Sequence, residues 1–377
     1  MHDFLVKEVV TDNIKPEIEY IGFDKSYAPK VIEKFQYKNL KVFGLTPAQA
    51  NILKQTAISV GADCATHREV ITGKIEKSDC ILGGSLSQIR KIAEKLQFQP
   101  FGLKVLGAEL LRFQIKTHKT KIMGILNVTD NSFSDGGEFL EPEKAFEHLK
   151  EMVRDGADII DIGAESTRPY SEPVSADVQL KRLLPVLELV KKAKIKVPLS
   201  IDTRSAEVAE KCIKAGAVIV NDVSGMTYDW CMADVVAKYG VHVIIQHSKG
   251  TPENMQKSPE YKNLMDEIIL DINQKIDFAL TKGIEKNKII IDPGIGFGKT
   301  RENNFEIIRR LTELYALDCP VMLGLSRKSL LNMQDEDNLT KDIFTVALNT
   351  IAVENGVDII RVHNVKLHKQ LLNILSK

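Results

Sequence analysis

K-I-I-I-D-P-G-I-G-F-G-K-T, residues Lys288 to Thr300, carries an apolar run straight into a carboxylate and a glycine-rich loop. Ile289, Ile290 and Ile291 form the short continuous run that a parallel strand shows when both its faces are covered. Asp292 falls where that strand must end. Pro293 has no N–H for a further ladder bond, and Gly294, Gly296 and Gly298 let the backbone turn and approach a ligand. The G-K-T ending suggests a phosphate-cradling P-loop, but that motif needs glycine where Pro293 stands. Nor does Gly294-Ile-Gly296-Phe-Gly298 satisfy G-x-G-x-x-G. What remains is a strand end built to carry a site.

The chain repeats this plan from about residue 119 onward. Apolar runs expected to be strands cover Ile122 to Asn127, Asp158 to Ile162, Val197 to Asp202, Ala217 to Asn221, Val241 to His247, Lys288 to Asp292, Val321 to Leu325 and Asp358 to His363. Amphipathic helices fall between them. Pro142 opens one whose face is Phe146, Leu149, Met152 and Val153, with Gly156 as its stop. Ser205 caps another that turns Val208, Ala209, Cys212 and Ile213 inward. Thr340 precedes a third that shows Ile343, Phe344, Ala347, Leu348 and Ile351. Pro185 is expected to kink or divide the helix between Ser175 and Lys192. Eight βα units over roughly 250 residues predict an α/β fold of the TIM (β/α)8 barrel type. A doubly wound sheet is the alternative, although five or six strands suit it better.

Residues 1–118 read as a smaller N-terminal α/β domain, and 119–377 as the barrel. Leu40 to Leu45 and Ser78 to Leu82 suggest strands, Thr46-Pro47 starts a helix, and Gly83-Gly84 is expected to turn into another that runs to Leu96. This region shows no recognisable chemistry, and the tract K-T-H-K-T-K at Lys116 to Lys121 reads as a solvated linker. Lysine plus arginine and aspartate plus glutamate balance at 51 each, so overall charge points neither to nucleic acid nor to a membrane surface. The five cysteines lack C-x-x-C spacing and read as reduced thiols. With no leader pattern and no apolar run of membrane length, the expected location is the cytoplasm.

In a barrel the βα loops converge on the C-terminal ends of the strands. Those ends carry Asn127, Glu165-Ser166-Thr167-Arg168, Asp202, Asn221-Asp222, Gln246-His247, Asp292, Ser326-Arg327-Lys328-Ser329, and Arg361 with His363. Each has a plainer explanation. Asp202 and Asn221 suit helix caps, His247 suits an oriented core histidine, and Lys299 suits a solvated loop. Together they combine two chemistries. Asp202, Asn221 and Asp292 suit a flat heterocycle with amidine-like N–H donors, whereas Arg168, Arg327, Lys328, Arg361 and His363, with Thr167 and Ser326, suit phosphate.

From about Lys121 onward the sequence resembles the dihydropteroate synthase family. The resemblance rests on M-G-I-L-N-V-T-D-N-S-F-S-D-G-G at Met123 to Gly137, E-S-T-R-P at Glu165 to Pro169, I-D-T at Ile201 to Thr203 and N-D at Asn221-Asp222. D-P-G-I-G-F-G-K at Asp292 to Lys299, S-R-K-S at Ser326 to Ser329 and R-V-H at Arg361 to His363 complete it. What it implies is transfer of a pterinylmethyl group from 6-hydroxymethyl-7,8-dihydropterin diphosphate to p-aminobenzoate, with release of pyrophosphate. The family's pterin pocket corresponds to Asp202, Asn221, Asp292 and Lys328, and its diphosphate site to Asn127, Thr167, Arg361 and His363. Its p-aminobenzoate pocket, which sulfonamides also occupy, corresponds to Thr167, Arg168, Pro169, Phe297, Ser326 and Lys328. Asp292, Lys328, Arg361 and His363 are the expected catalytic groups. Mg²⁺ is expected near Asn127 and Asp135, and a homodimer is expected.

The sequence departs from the family pattern at three places. Asp130-Asn131 stands where Pro-Asp is usual, Gln246 and Ser248 flank His247 where methionines are common, and Asn364 replaces an Asp after R-V-H. A pterin-binding methyltransferase, which has no diphosphate to expel, and a non-catalytic pterin-binding homologue are the alternatives. The first hundred or so residues lie outside the resemblance.

Overall fold

A computed structural model describes residues 7, 9, 14–112, 119–129, 142–165, 174–249, 260–328 and 336–376, and its packing separates Met1–Ile115 from Lys116–Lys377. In the first unit β1 (Tyr37–Leu45), β2 (Asp63–Thr66) and β3 (Ser78–Ser85) form an antiparallel sheet in the order β1-β3-β2. Leu40, Cys64 and Leu82 from the sheet share a core with Leu53, Ile92 and Leu96 from the helices Pro47–Ile58 and Leu86–Leu96. Thr46 and Ser85 begin these helices with reciprocal capping boxes.

One expectation for this unit needs correction, and one strand was not expected. Gly83 and Gly84 do not turn the chain but continue β3, paired with Asn39 and Lys38 of β1, and a side chain at Gly83 would collide with the Tyr37 hydroxyl lying across it. The four residues of β2 carry no strand signal strong enough to read from sequence.

The second unit contains β4 (Lys121–Asn127), β5 (Ile159–Gly163), β6 (Leu199–Asp202), β7 (Ile219–Asp222), β8 (His242–Gln246), β9 (Ile289–Asp292), β10 (Met322–Leu323) and β11 (Ile359–Val362). All pair in parallel in the order β10-β11-β4-β5-β6-β7-β8-β9. A parallel bridge from Ile291 to Val321 joins the two ends, so the sheet closes as a TIM barrel. All eight expected strands are present.

The barrel interior changes character over one strand step. Met123, Ile159, Ile219, Ile244, Ile290, Met322 and Ile359 form an apolar layer. Residues two positions later share the same strand face. They are Asp161 after Ile159, Asn221 after Ile219, Gln246 after Ile244, Asp292 after Ile290 and Arg361 after Ile359. The apolar layer therefore forms the floor beneath a polar one.

Three details around the barrel refine the expectation. Of the two outcomes expected at Pro185, division does not occur: Ala176–Lys192 is one helix, with Leu183, Val186 and Leu187 buried on both sides of the proline. The linker tract gives its last residues to the barrel: Lys121 begins β4, and Thr120 is buried and donates to the Val357 carbonyl at 2.7 Å. Residues 116–118 lie outside the described residues. The helix Asn338–Glu354 is capped by Asp337 rather than preceded by Thr340, and its buried face is Asp342, Thr345, Asn349 and Ala352. Ile343, Phe344 and Ile351, expected inside, are exposed.

Candidate active site

Asp161 is fully buried on β5, and one of its oxygens takes two donors. Arg361 Nε donates to Asp161 Oδ2 at 2.6 Å and Asn221 Nδ2 at 3.0 Å. Arg361 Nη2 donates to Asp202 Oδ2, also at 2.6 Å. One guanidinium from β11 thus ties together the ends of β5 and β6, with β7 joined through Asn221. Asp202 and Asn221 do not cap helices; Ser205 caps Ala206–Ala215. The other oxygens of this group, Asp161 Oδ1, Asp202 Oδ1 and Asn221 Oδ1, are buried and have no partner among the described residues. Buried acceptors left in this way are costly unless a donor completes them.

Burial raises the Asp202 carboxyl to about 7 despite Arg361, with Asp161 adding to the shift. Burial opposes the Arg361 charge, but the Asp161 and Asp202 carboxylates outweigh it and raise its pKa. The guanidinium is permanently charged, while Asp202 exchanges its proton near neutrality.

Across the barrel Asp292 is buried at the end of β9 and accepts the Gly294 N–H at 2.7 Å. Burial raises its pKa, and Lys328 restrains the rise. Lys328 Nζ donates to the Ile295 carbonyl at 2.6 Å and lies 4.7 Å from the centre of the Phe297 ring. Burial lowers the Lys328 ammonium to about 8, with Asp292 holding it up. Gly294 has φ +70, and a side chain there would run into the His247 carbonyl, so this turn needs glycine.

Ser326 Oγ and His363 Nδ1 are 2.8 Å apart, and the His363 N–H donates to Ser326 Oγ at 3.2 Å. Ser326, in the loop after β10, and His363, just after β11, are therefore in contact. Arg327 is not part of this contact: Nε and Nη2 each donate at 2.8 Å to one oxygen of Asp342. Its backbone takes φ +56, and this bidentate pair anchors the turn that presents Lys328. Asn364 Nδ2 also donates to Asp342, at 3.2 Å.

Lys299 is buried, not solvated. Its Nζ is 2.8 Å from His247 Nδ1 and donates to the Phe297 carbonyl at 3.0 Å. Glu165 binds Arg204 Nη2 at 2.7 Å, and that guanidinium stacks 4.3 Å from the Tyr228 ring.

The structure joins Asp202 and Asn221 to Arg361 through the Asp161 cluster, sets Lys328 beside Asp292 and the Phe297 ring, and pairs Ser326 with His363, all at the C-terminal ends of the barrel strands, with Asn127 half-buried at the end of β4. Thr167, Arg168, Pro169, Asp135, Asp130 and Asn131 lie outside the described residues. Asp161 was missed by sequence reasoning. Its signal was an acid inside the apolar run Ile159 to Ile162, two residues before the end of its strand. No group of three or more His, Cys, Asp or Glu side chains among the described residues has the spacing of a metal centre, and none of their helices is long and apolar enough to cross a membrane.

A family model described as "Pterin binding enzyme" matches residues 123–363. A dihydropteroate synthase from Clostridium beijerinckii is 42% identical over 251 residues, covering 66% of this chain and 90% of the relative. A probable bifunctional folylpolyglutamate synthase/dihydropteroate synthase from Haloferax volcanii is 35% identical over 352 residues. That match covers 86% of this chain, more than the barrel alone holds, while the chain spans only 41% of the relative's length. Among solved structures, Yersinia pestis dihydropteroate synthase with a sulfonamide drug has TM-score 0.64 and 38% identity, covering 68% of this chain and 93% of that one.

Proposed function

Because the chain belongs to the dihydropteroate synthase family of pterin binding enzymes, we propose that it transfers the pterinylmethyl group of 6-hydroxymethyl-7,8-dihydropterin diphosphate to p-aminobenzoate, releasing pyrophosphate. The observation that carries this reading is the row of unpartnered acceptors at Asp161, Asp202 and Asn221 above the apolar floor. A pterin presents a flat ring to the floor and a fan of N–H donors to those oxygens. The substrate arylamine is already nucleophilic, so the harder task is loss of diphosphate.

In this reading Asp202, Asn221 and Asp292 bind the pterin, and Lys328 lies between the pterin and the Phe297 ring. The Asp292 carboxylate favours positive charge on the pterin as the carbon–oxygen bond loosens, and Arg361 and His363 bind the departing diphosphate. Phe297, Ser326 and Lys328 border the p-aminobenzoate side, with Thr167, Arg168 and Pro169 completing it. The amide oxygen of Asn127 is the kind of hard ligand Mg²⁺ takes alongside substrate phosphates, with Asp135 as the second proposed ligand. Bound there, Mg²⁺ would supply Lewis-acid stabilisation of the diphosphate charge.

The test is pyrophosphate release from the pterin diphosphate, measured with and without p-aminobenzoate. Release that depends on both substrates supports the synthase. Binding of pterin without release would point to a methyltransferase or a non-catalytic homologue.

The proposal extends to a homodimer. Leu339, Ile343, Phe344 and Ile351 form an exposed apolar stripe along the helix Asn338–Glu354, at helical spacing. A second copy of the chain covers it in this reading. Phe344→Asp should convert the dimer to a monomer in sedimentation equilibrium, and an unchanged mass would place the interface elsewhere.

A further inference from the structure

The loop Gly294 to Lys299 has its carbonyl oxygens held from three directions. Lys328 takes the Ile295 carbonyl, the Tyr261 hydroxyl donates to the Gly298 carbonyl at 2.8 Å, and Lys299 turns back to take the Phe297 carbonyl at 3.0 Å. The Phe297 N–H donates to the Gly294 carbonyl at 3.1 Å. Residue 297 is thereby fixed through both of its peptide groups while its ring is left to meet Lys328.

Lys299 has no role in the chemistry derived above, yet it is almost completely buried. A lysine placed there must be held by partners, since a buried amine without them is strongly disfavoured. Its second partner is His247 Nδ1 at 2.8 Å, and the His247 N–H donates to the Asp292 carbonyl at 2.9 Å. Lys299 therefore connects the carbonyl of the ring-bearing residue to the ends of β8 and β9.

We propose that Lys299 is a positioning residue: by bridging the Phe297 carbonyl and the His247 ring it sets where the Phe297 side chain stands, and so shapes the arylamine side of the site. This rests on the proposed synthase reading only for the identity of that second substrate. Burial pushes the Lys299 ammonium well below its usual pKa, in keeping with a hydrogen-bonding strut rather than a charge aimed at substrate.

Two measurements on the full chain test it. Amide hydrogen exchange of the substrate-free protein requires no activity. Lys299→Met, which keeps the length and loses the donor, should speed exchange at Ile295 to Lys299 by roughly tenfold or more while β4 to β8 keep their protection. Lys299→Arg, which keeps a donor, should restore much of that protection. Unchanged loop exchange in Lys299→Met overturns the proposal, as does acceleration spread evenly over the barrel. If Lys299→Met does not fold, His247→Gln removes the ring partner instead and is held to the same two outcomes.

The kinetic counterpart is a rise of roughly tenfold in KM for p-aminobenzoate with KM for the pterin diphosphate changed less than about twofold. In a Phe297→Ala background Lys299→Met should add nothing to that rise. Equal losses on both substrates would overturn the assignment. A wild-type chain that releases no pyrophosphate defeats the synthase reading alone, and the exchange experiment still decides the role of Lys299.

Discussion

One oxygen of Asp161 accepts from both Arg361 and Asn221. Asp161→Asn keeps one acceptor oxygen but leaves Asp202 as the only carboxylate bonded to the Arg361 guanidinium. Removing one partner of a buried ion pair costs on the order of 3 kcal/mol, and a loss of this size is expected in urea unfolding. An unchanged midpoint would mean that Asp202 satisfies Arg361 unaided. Asp202 gives a second prediction, in pH. Held up to about 7 chiefly by burial, it keeps its proton in the folded chain through a window, from ~4 upward, in which the unfolded chain has already lost it. The folded state binds more protons there, so this group's contribution to stability falls as pH rises to about 7 and is flat above. Ligand binding runs the other way. If Asp202 and Lys328 bind the pterin as proposed, the ionised Asp202 is the form that accepts its donors, so affinity for 6-hydroxymethylpterin should rise through pH 7, then fall as Lys328 loses its charge near 8. Calorimetric titration between pH 6 and 9 checks this, and Asp202→Asn should remove the rising limb. At this scale the sequence revealed the groups at strand ends, because polar residues closing apolar runs are visible. It hid Asp161 one step deeper, and it hid the burial of Lys299, because a lysine after a glycine loop reads as solvated.

Among the elements, the helix Asn338–Glu354 departs furthest from what its pattern suggests. Its apolar residues have helical spacing, and such a stripe ordinarily faces the core. Here the inward face carries Asp342, Thr345 and Asn349 instead. The reason lies in the loop after β10: Arg327, in a left-handed turn, needs a buried carboxylate to hold it, and Asp342 supplies one at 2.8 Å to each of two nitrogens. Periodicity identified the helix without showing which face met the barrel. The same cluster gives the Asn364 departure a physical meaning. Asn364 caps the helix Val365–Leu375 through Oδ1 and donates its amide to Asp342. Asn364→Asp preserves the cap, for which both residues serve, but sets a second carboxylate against Asp342 in place of a donor. A loss of about 1 kcal/mol in thermal unfolding is expected, with helix content retained. An equal or higher stability would mean that Arg327 can accept two carboxylates in this chain.

For the whole molecule, eight apolar runs spaced by helices made the barrel legible, since one strand–helix unit repeated eight times closes on itself. The N-terminal unit offered no such repetition, and β2 escaped notice in four residues. Its separate core, built on Leu40, Leu53, Leu82, Ile92 and Leu96, is independent of the barrel's. Every described residue assigned to chemistry belongs to the second unit, whose sheet closes through Ile291 and Val321 without any strand from the first. A chain shortened to begin at Lys116 should therefore keep its barrel and bind 6-hydroxymethylpterin within about twofold of the full chain, a difference below ~0.5 kcal/mol. Pyrophosphate release by the shortened chain, compared at equal concentration, should follow suit. If pterin affinity held while turnover fell tenfold, the N-terminal unit would be acting on the arylamine or loop side of the site. If both fell together, the barrel would depend on it for its own integrity.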